Sequence, residues 1–228
     1  MSDIITYNGI DVTSIGGIVL SVSPLIRAQR RIESIEVPGR NGVLHIDDNS
    51  YTPITKTIRI GVRTPDVRDG INAWCAQSGI LTTSTEPNRA YKVTQITEVA
   101  WERVTNRLSQ CVIAFECDPF RYVHPEPETV VFNALGSITN PGSIYSAPAI
   151  TVDGTGDIVL TIGNQTVGLG DVSMPVTIDS DMQIAFTQEG AVTSSMSGAF
   201  PVLQPGQSNI AWTGDVTSIT ILPRWRYL

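Results

Sequence analysis

The sequence predicts a mainly β protein in two parts: an N-terminal β part carrying one α-helix, then an all-β C-terminal sandwich. Three observations carry this. Short alternating apolar runs, punctuated by Gly, Pro, Asn and Asp, recur along all 228 residues, as antiparallel strands joined by turns require. One stretch alone, near 64–79, combines a helical period with signals for both ends of a helix. Charge and composition change together near residue 124. Residues 1–124 hold 13 Lys+Arg and 13 Asp+Glu, whereas 125–228 hold 2 and 9, with eleven of the 19 glycines and 8 of the 14 prolines. The expected domains are therefore 1–124 and 125–228.

The first element is a hairpin, because Ile4-Ile5-Thr6-Tyr7 and Ile10-Asp11-Val12 flank Asn8-Gly9, a tight-turn pair. Residues 17–22 form a strand stopped by Pro24, and 30–37 form another. The segment Val37-Pro38-Gly39-Arg40-Asn41-Gly42-Val43-Leu44 is broken by Pro-Gly and Asn-Gly, so a protruding loop or hairpin is expected up to Pro53. Ile54, Ile58, Ile60 and Val62 then share one face of a half-buried strand. For the helix, Thr64 is the expected cap, Pro65 suits the first position and Asp66 the first turn. Val67, Ile71, Trp74 and Cys75 form its apolar stripe, and Gly79 is the expected stop.

Strands are expected next at 80–83, 91–94, 97–104 and 108–116. Pro119 cannot donate to a central ladder, so the chain is expected to leave the sheet there. Beyond the Pro125 and Pro127 linker the runs 129–133, 149–152, 158–162, 176–179, 183–186, 208–212 and 216–222 all have strand character.

Several functions are excluded or disfavoured. The acidic C-terminal half argues against nucleic-acid binding, which needs Lys and Arg on phosphates. No apolar run is long enough to span a membrane. Residues 1–6 lack the basic and apolar regions of a signal peptide. Cys75, Cys111 and Cys117 are an odd set without framework spacing, and His45 and His124 complete no zinc pattern with them. Buried reduced thiols are expected and no metal or cofactor. A triad would have to use a loop or linker histidine. Glu126 and Glu128 sit in the linker and, with Glu189, make a poor glycosidase pair. Asp153-Gly154-Thr155-Gly156-Asp157 lacks the closing Glu of an EF-hand loop, so a tight turn is expected. No catalytic residue is assigned.

Trp212, Trp225 and Tyr227 have two readings, sugar stacking or sandwich packing. Arg224 and Arg226 on one strand face would suit ion pairs. The phrase Met196–Gly206 has an extended, Pro- and Gly-fixed character that points to architecture.

In order, Asn8-Gly9, Val37-Pro38-Gly39-Arg40-Asn41-Gly42, the Trp-bearing helix, Glu86-Pro87-Asn88-Arg89-Ala90-Tyr91 and Phe115-Glu116-Cys117-Asp118-Pro119-Phe120 form a series. Asn140-Pro141-Gly142, Pro148-Ala149-Ile150-Thr151-Val152-Asp153-Gly154, the 198–206 phrase and Pro223-Arg224-Trp225-Arg226 complete it. Together they resemble the distal tail protein of bacteriophages with long, non-contractile tails. The resemblance implies that the first domain is a tail-tube-like, ring-forming β-sandwich with one α-helix and the second a galectin-like β-sandwich. It implies a homohexameric ring at the virion tail tip, made after synthesis in the bacterial host cytoplasm. The implied partners are further copies of the chain, the tail tube protein, the tail hub or tip protein and receptor-binding proteins. The alternative is a carbohydrate-binding β-sandwich module contacting the host surface. A hydrolase ranks third.

The expected subunit interface is the 36–53 segment. Arg40 has the planar fork favoured in protein contacts, and Val43, Leu44 and Ile46 would cover apolar surface on a neighbour.

Overall fold

A computed structural model describes residues 3–105 and 108–228. It is mainly β with one α-helix, and contacts divide the chain into Met1–Arg121 with Leu228, and Tyr122–Tyr227.

The first unit holds β1 (Ile5–Tyr7), β2 (Ile10–Asp11), β3 (Ile18–Val22), β4 (Arg30–Glu36), β5 (Val43–Tyr51), β6 (Ile54–Val62), α1 (Pro65–Trp74), β7 (Gly79–Thr83), β8 (Arg89–Thr105) and β9 (Leu108–Val123). One sheet runs β2-β1-β7-β8-β9-β6-β3, and β4 with β5 forms a separate two-stranded sheet. The β1–β2 turn has Asn8 and Gly9 both at positive φ, 51° and 79°, the geometry of a tight hairpin turn whose twist matches the strands. On β6, Ile54, Ile58, Ile60 and Val62 face the core as the alternation predicts. They pack with Tyr7, Ile71, Trp74 and Phe115. Tyr7, Trp74 and Phe115 meet edge to face, with ring centroids 5.3–6.3 Å apart.

Four expectations in this unit need correction. Thr64 occupies the N-cap position of α1 but makes no side-chain cap bond. Gly79 is not the helix stop: α1 ends at Trp74, and Gly79 opens β7. It is glycine because Asn8 Oδ1 would lie 1.7 Å from a Cβ there, and that oxygen accepts the Ile80 N–H at 2.9 Å. The strands expected at 91–94 and 97–104 are one, β8. Pro119 does not end the sheet, since β9 runs on to Val123. The β6 ladder stops at Cys117, so Pro119 removes no donor from it.

The second unit holds β10 (Val130–Phe132), β11 (Gly136–Asn140), β12 (Ala149–Ile162), β13 (Gln165–Val172), β14 (Val176–Asp179), β15 (Ile184–Thr187), β16 (Gly190–Ala191), β17 (Met196–Ser197), β18 (Gly206–Leu222) and β19 (Arg226–Tyr227). The order is β10-β18-β12-β14-β15-β16, with β11 on β18, β13 on β12 and β17 on β13. Ile150, Val152, Ile178, Leu203, Ile219 and Ile221 are fully buried at its centre. The runs 149–152 and 158–162 belong to one strand, β12, as do 208–212 and 216–222 in β18. The Asp153–Asp157 stretch is therefore neither a turn nor a calcium loop. It is an irregularity in the β12–β18 ladder, where the register shifts between Asp153 and Gly154 and between Thr155 and Val159.

Candidate functional site

The segment expected as the interface is a long hairpin, β4–β5, standing apart from the main sheet. Its tip is set by local chemistry. Pro38 and Gly39 occupy the middle of a turn closed by the Arg40 N–H on the Val37 carbonyl at 3.1 Å, with Gly39 at φ 80°. Pro then Gly in these positions is the type II combination, since the second needs positive φ. Arg40 is thus presented at the outermost turn.

Register sorts the arm's side chains. Leu44 stands opposite Ile35, and Ile46 opposite Glu33. Directly opposed residues share a face, so Ile35, Leu44 and Ile46 lie together on one face, with Glu33 opposite Ile46 at its root end. Val43 stands opposite Glu36 on the other, with Ser34, His45, Ile32 and Asp47. That second face mixes Ile32 and Val43 with more polar groups, and Ser34 Oγ lies 3.0 Å from His45 Nδ1. The structure therefore brings Leu44 and Ile46 together, adds Ile35, and places Val43 on the opposite side. Ile35, Leu44 and Ile46 are 37%, 40% and 46% exposed, large values for aliphatic groups lying side by side.

The arm's root is equally defined. Arg30 stands opposite Tyr51, its guanidinium 5.9 Å from the ring centroid. Tyr51 meets Phe120 of β9 edge to face at 5.6 Å. The Thr52 N–H donates to the Gln29 carbonyl at 2.9 Å. The alternating pattern of β4 splits imperfectly, and Ile32 and Ile35 receive no role from it. Their signal emerges only through the register with β5.

A second open element lies in the main sheet. β7 pairs with β8 only at Ala90–Val93, so the later residues of β8 carry no strand on that side among the described residues. A strand edge without a neighbouring strand is a surface on which another chain can add one.

The chemistry-bearing candidates lie elsewhere. Cys75, Cys111 and Cys117 are buried and unpaired with one another. Burial pushes their thiols up to about 12, 11 and 12 respectively. No group of three His, Cys, Asp or Glu side chains able to hold a metal occurs among the described residues. No helix among them is long and apolar enough to cross a membrane.

Trp225 is only 8% exposed, and Trp212 packs against the same core. Arg224 and Arg226 do not share a strand face. β18 ends at Leu222 and Arg224 takes φ 50°, so Arg224 pairs with Asp179 while Arg226 lies over Tyr145 at 4.6 Å. A pocket of about 310 Å³ in the second unit is bounded by Leu169, Asp171, Met174, Thr187, Glu189 and Ser195 among others, none of them aromatic. In the 196–206 phrase, the Gln165 amide donates to the Val202 carbonyl at 2.8 Å and accepts its N–H at 3.0 Å. Leu203 exchanges two backbone bonds with Ser146.

No protein-family model matches this sequence, and no curated protein is similar to it in sequence. A solved structure does match in shape. It is the Dit (gp 19.1) protein of SPP1, described as a paradigm of the hub adsorption apparatus in phages that infect Gram-positive bacteria. The TM-score is 0.75 over 100% of both chains, at 14% sequence identity. The chain has the Dit fold. In this Dit fold the β4–β5 arm is inserted between β3 and β6, adjacent strands of one sheet.

Proposed function

We propose that this chain is a structural virion protein that forms a homohexameric ring at the distal end of a phage tail. The ring connects the tail tube to the baseplate hub and receptor-binding apparatus. The observation that carries this is the β4–β5 arm with its uncovered Ile35–Leu44–Ile46 face, on a chain with the Dit fold throughout its length. An arm with exposed aliphatic groups on one face and no core of its own gains stability only against another surface. Each such side chain is worth about 1.5–3 kcal/mol when fully covered, less the freedom lost on association. In a closed ring every contact repeats the same pair of unlike surfaces. The open edge of β8 is a second surface for such contacts.

In this reading residues 1–124 are the tail-tube-like, ring-forming domain and residues 125–228 a galectin-like sandwich. The partners are further copies of the chain, the tail tube protein, the tail hub or tip protein and receptor-binding proteins. The work is mechanical: the protein is not an enzyme, uses no cofactor, and acts at the virion tail tip after synthesis in the host cytoplasm. Arg40, Leu44 and Ile46 are interface residues, and Val43 lines the arm's other face. The carbohydrate-binding reading has weaker support, because Trp225 is buried and the second unit's pocket lacks an aromatic platform.

Native mass spectrometry with negative-stain imaging of the full chain tests this. The expected result is a six-fold ring. A monomer at every concentration, also when mixed with tail tube and hub proteins, would overturn it.

A further inference from the structure

The hairpin does not run straight from root to tip. Arg30 pairs with Tyr51, but the next pair is Ile32 with Asp47. Asp48, Asn49 and Ser50 therefore stand opposite the single Arg31. The irregularity is internally bonded. Asp47 Oδ1 accepts the Asn49 N–H at 2.8 Å, and Asp48 Oδ1 accepts the Ser50 N–H at 2.9 Å and its hydroxyl at 2.6 Å. Asn49 takes φ 61°, which Asn tolerates well among non-glycine residues. Extra residues on one strand bend it and re-aim the rest of the strand.

One ion pair spans this bend. Arg30 belongs to the root and Asp47 to the arm, and the Arg30 guanidinium donates to Asp47 Oδ2. Asp47 thus works twice: one carboxylate oxygen holds the bulge and the other holds Arg30. Arg30 is itself seated on Tyr51, which rests on Phe120. The chain of contacts passes from the main sheet to the arm across the bulge.

We propose that Asp48–Asn49–Ser50 is a joint setting the direction of the arm, and that Arg30 and Asp47 are the positioning residues that hold it. The partners are 47% and 32% exposed, so the latch is weak and salt-sensitive. It fixes direction rather than stability, and lets the arm reorient when it meets a neighbour. The significance of that movement rests on the ring reading; the joint itself does not.

The test measures the joint in single chains, at a concentration where native mass shows no assembly. Spin labels are placed at Asn41→Cys on the tip and Thr55→Cys on β6; the native thiols are buried. The parent should give one narrow distance peak at low salt. Arg30→Gln and Asp47→Asn should each broaden it, and high salt should broaden the parent in the same way. Deleting Asp48 and Asn49 leaves Ser50 opposite Arg31, and should give a narrow peak at a shifted distance that no longer responds to Arg30→Gln. An unchanged peak in Arg30→Gln, or an unshifted peak in the deletion, overturns the joint. A narrow, Arg30-dependent peak in a protein that never forms rings would leave the joint standing and remove the ring reading.

Discussion

Arg224 and Asp179 form a two-pronged ion pair, with guanidinium nitrogens 2.7 and 2.8 Å from the two carboxylate oxygens. It joins the segment after β18 to the end of β14, and Asp179 also accepts the Asp181 and Met182 N–H groups. The Arg224 bond, more than any other influence, holds the Asp179 carboxyl below its usual range. With a folded pKa depressed, its stabilising contribution is complete above the unfolded value of 3.8 and is lost as pH falls through the folded one.

Asp179→Asn should therefore destabilise the second unit at pH 7 and flatten its acid limb below pH 4. The expected cost is ~2 kcal/mol, short of the 3–5 of fully buried pairs, because the Arg224 side chain keeps 22% exposure. Urea unfolding between pH 7 and 3 checks both. An unchanged acid limb would mean that the pair carries no pH dependence.

The three thiols should be silent in the folded protein. At 9%, 0% and 0% exposure for Cys75, Cys111 and Cys117, and with pKa values pushed up to about 11–12 by burial, they are neither accessible nor ionised. A disulfide-exchange reagent at pH 8 should titrate none under native conditions and all three in urea. Prompt reaction of a native thiol would show that the core opens readily.

Much of the fold was legible where one strand face is buried or a turn has strict needs. Ile54, Ile58, Ile60 and Val62 announce β6, and Asn8-Gly9 and Pro38-Gly39 announce their turns. Lys56 was not legible: it shares the buried face, 3% exposed, with its ammonium 5.2 Å from the Tyr91 ring and bonded to the Pro24 carbonyl. Nothing in the alternation distinguishes such a cation from a solvated one. The length of β12 and β18 was hidden by glycines. Gly154 and Gly214 look like turn residues, yet a Cβ on either would lie 2.4 Å from a backbone oxygen, of Asp215 and Asp157 respectively. They permit close strand approach at the irregularity instead. For the candidate site, its tip and aliphatics could be read from sequence, but the face of each residue depended on the register between β4 and β5.

Separate folding of the two parts is the third expectation. The second unit has its own core, which Val123 joins as a partly buried member, and the Val123 N–H donates to the Trp225 carbonyl at 3.1 Å. A fragment 122–228 should give a soluble, cooperative all-β fold. One beginning at residue 130 should be less stable, having lost Val123. If 122–228 were unfolded while the whole chain was stable, the two-domain proposal would fail.

The last prediction separates the two faces of the arm. Leu44 and Ile46 lie beside Ile35, whereas Val43 lies beside Glu36 and His45 on the reverse. All three candidates are exposed in the single chain. Polar replacements should thus change monomer stability by only about 0.5 kcal/mol. Covering two aliphatic side chains supplies roughly 3–6 kcal/mol per interface before association costs. Leu44→Asp with Ile46→Asp should therefore leave a folded chain, judged by circular dichroism and melting, that no longer closes into a ring. Val43→Asp should still assemble, because Val43 lies on the face of the arm turned away from Ile35, Leu44 and Ile46. Native mass spectrometry of the two variants gives the answer directly. Rings from the double variant would place the ring contacts away from this face. Loss of rings in Val43→Asp alone would mean that the Val43 side of the arm faces the neighbour.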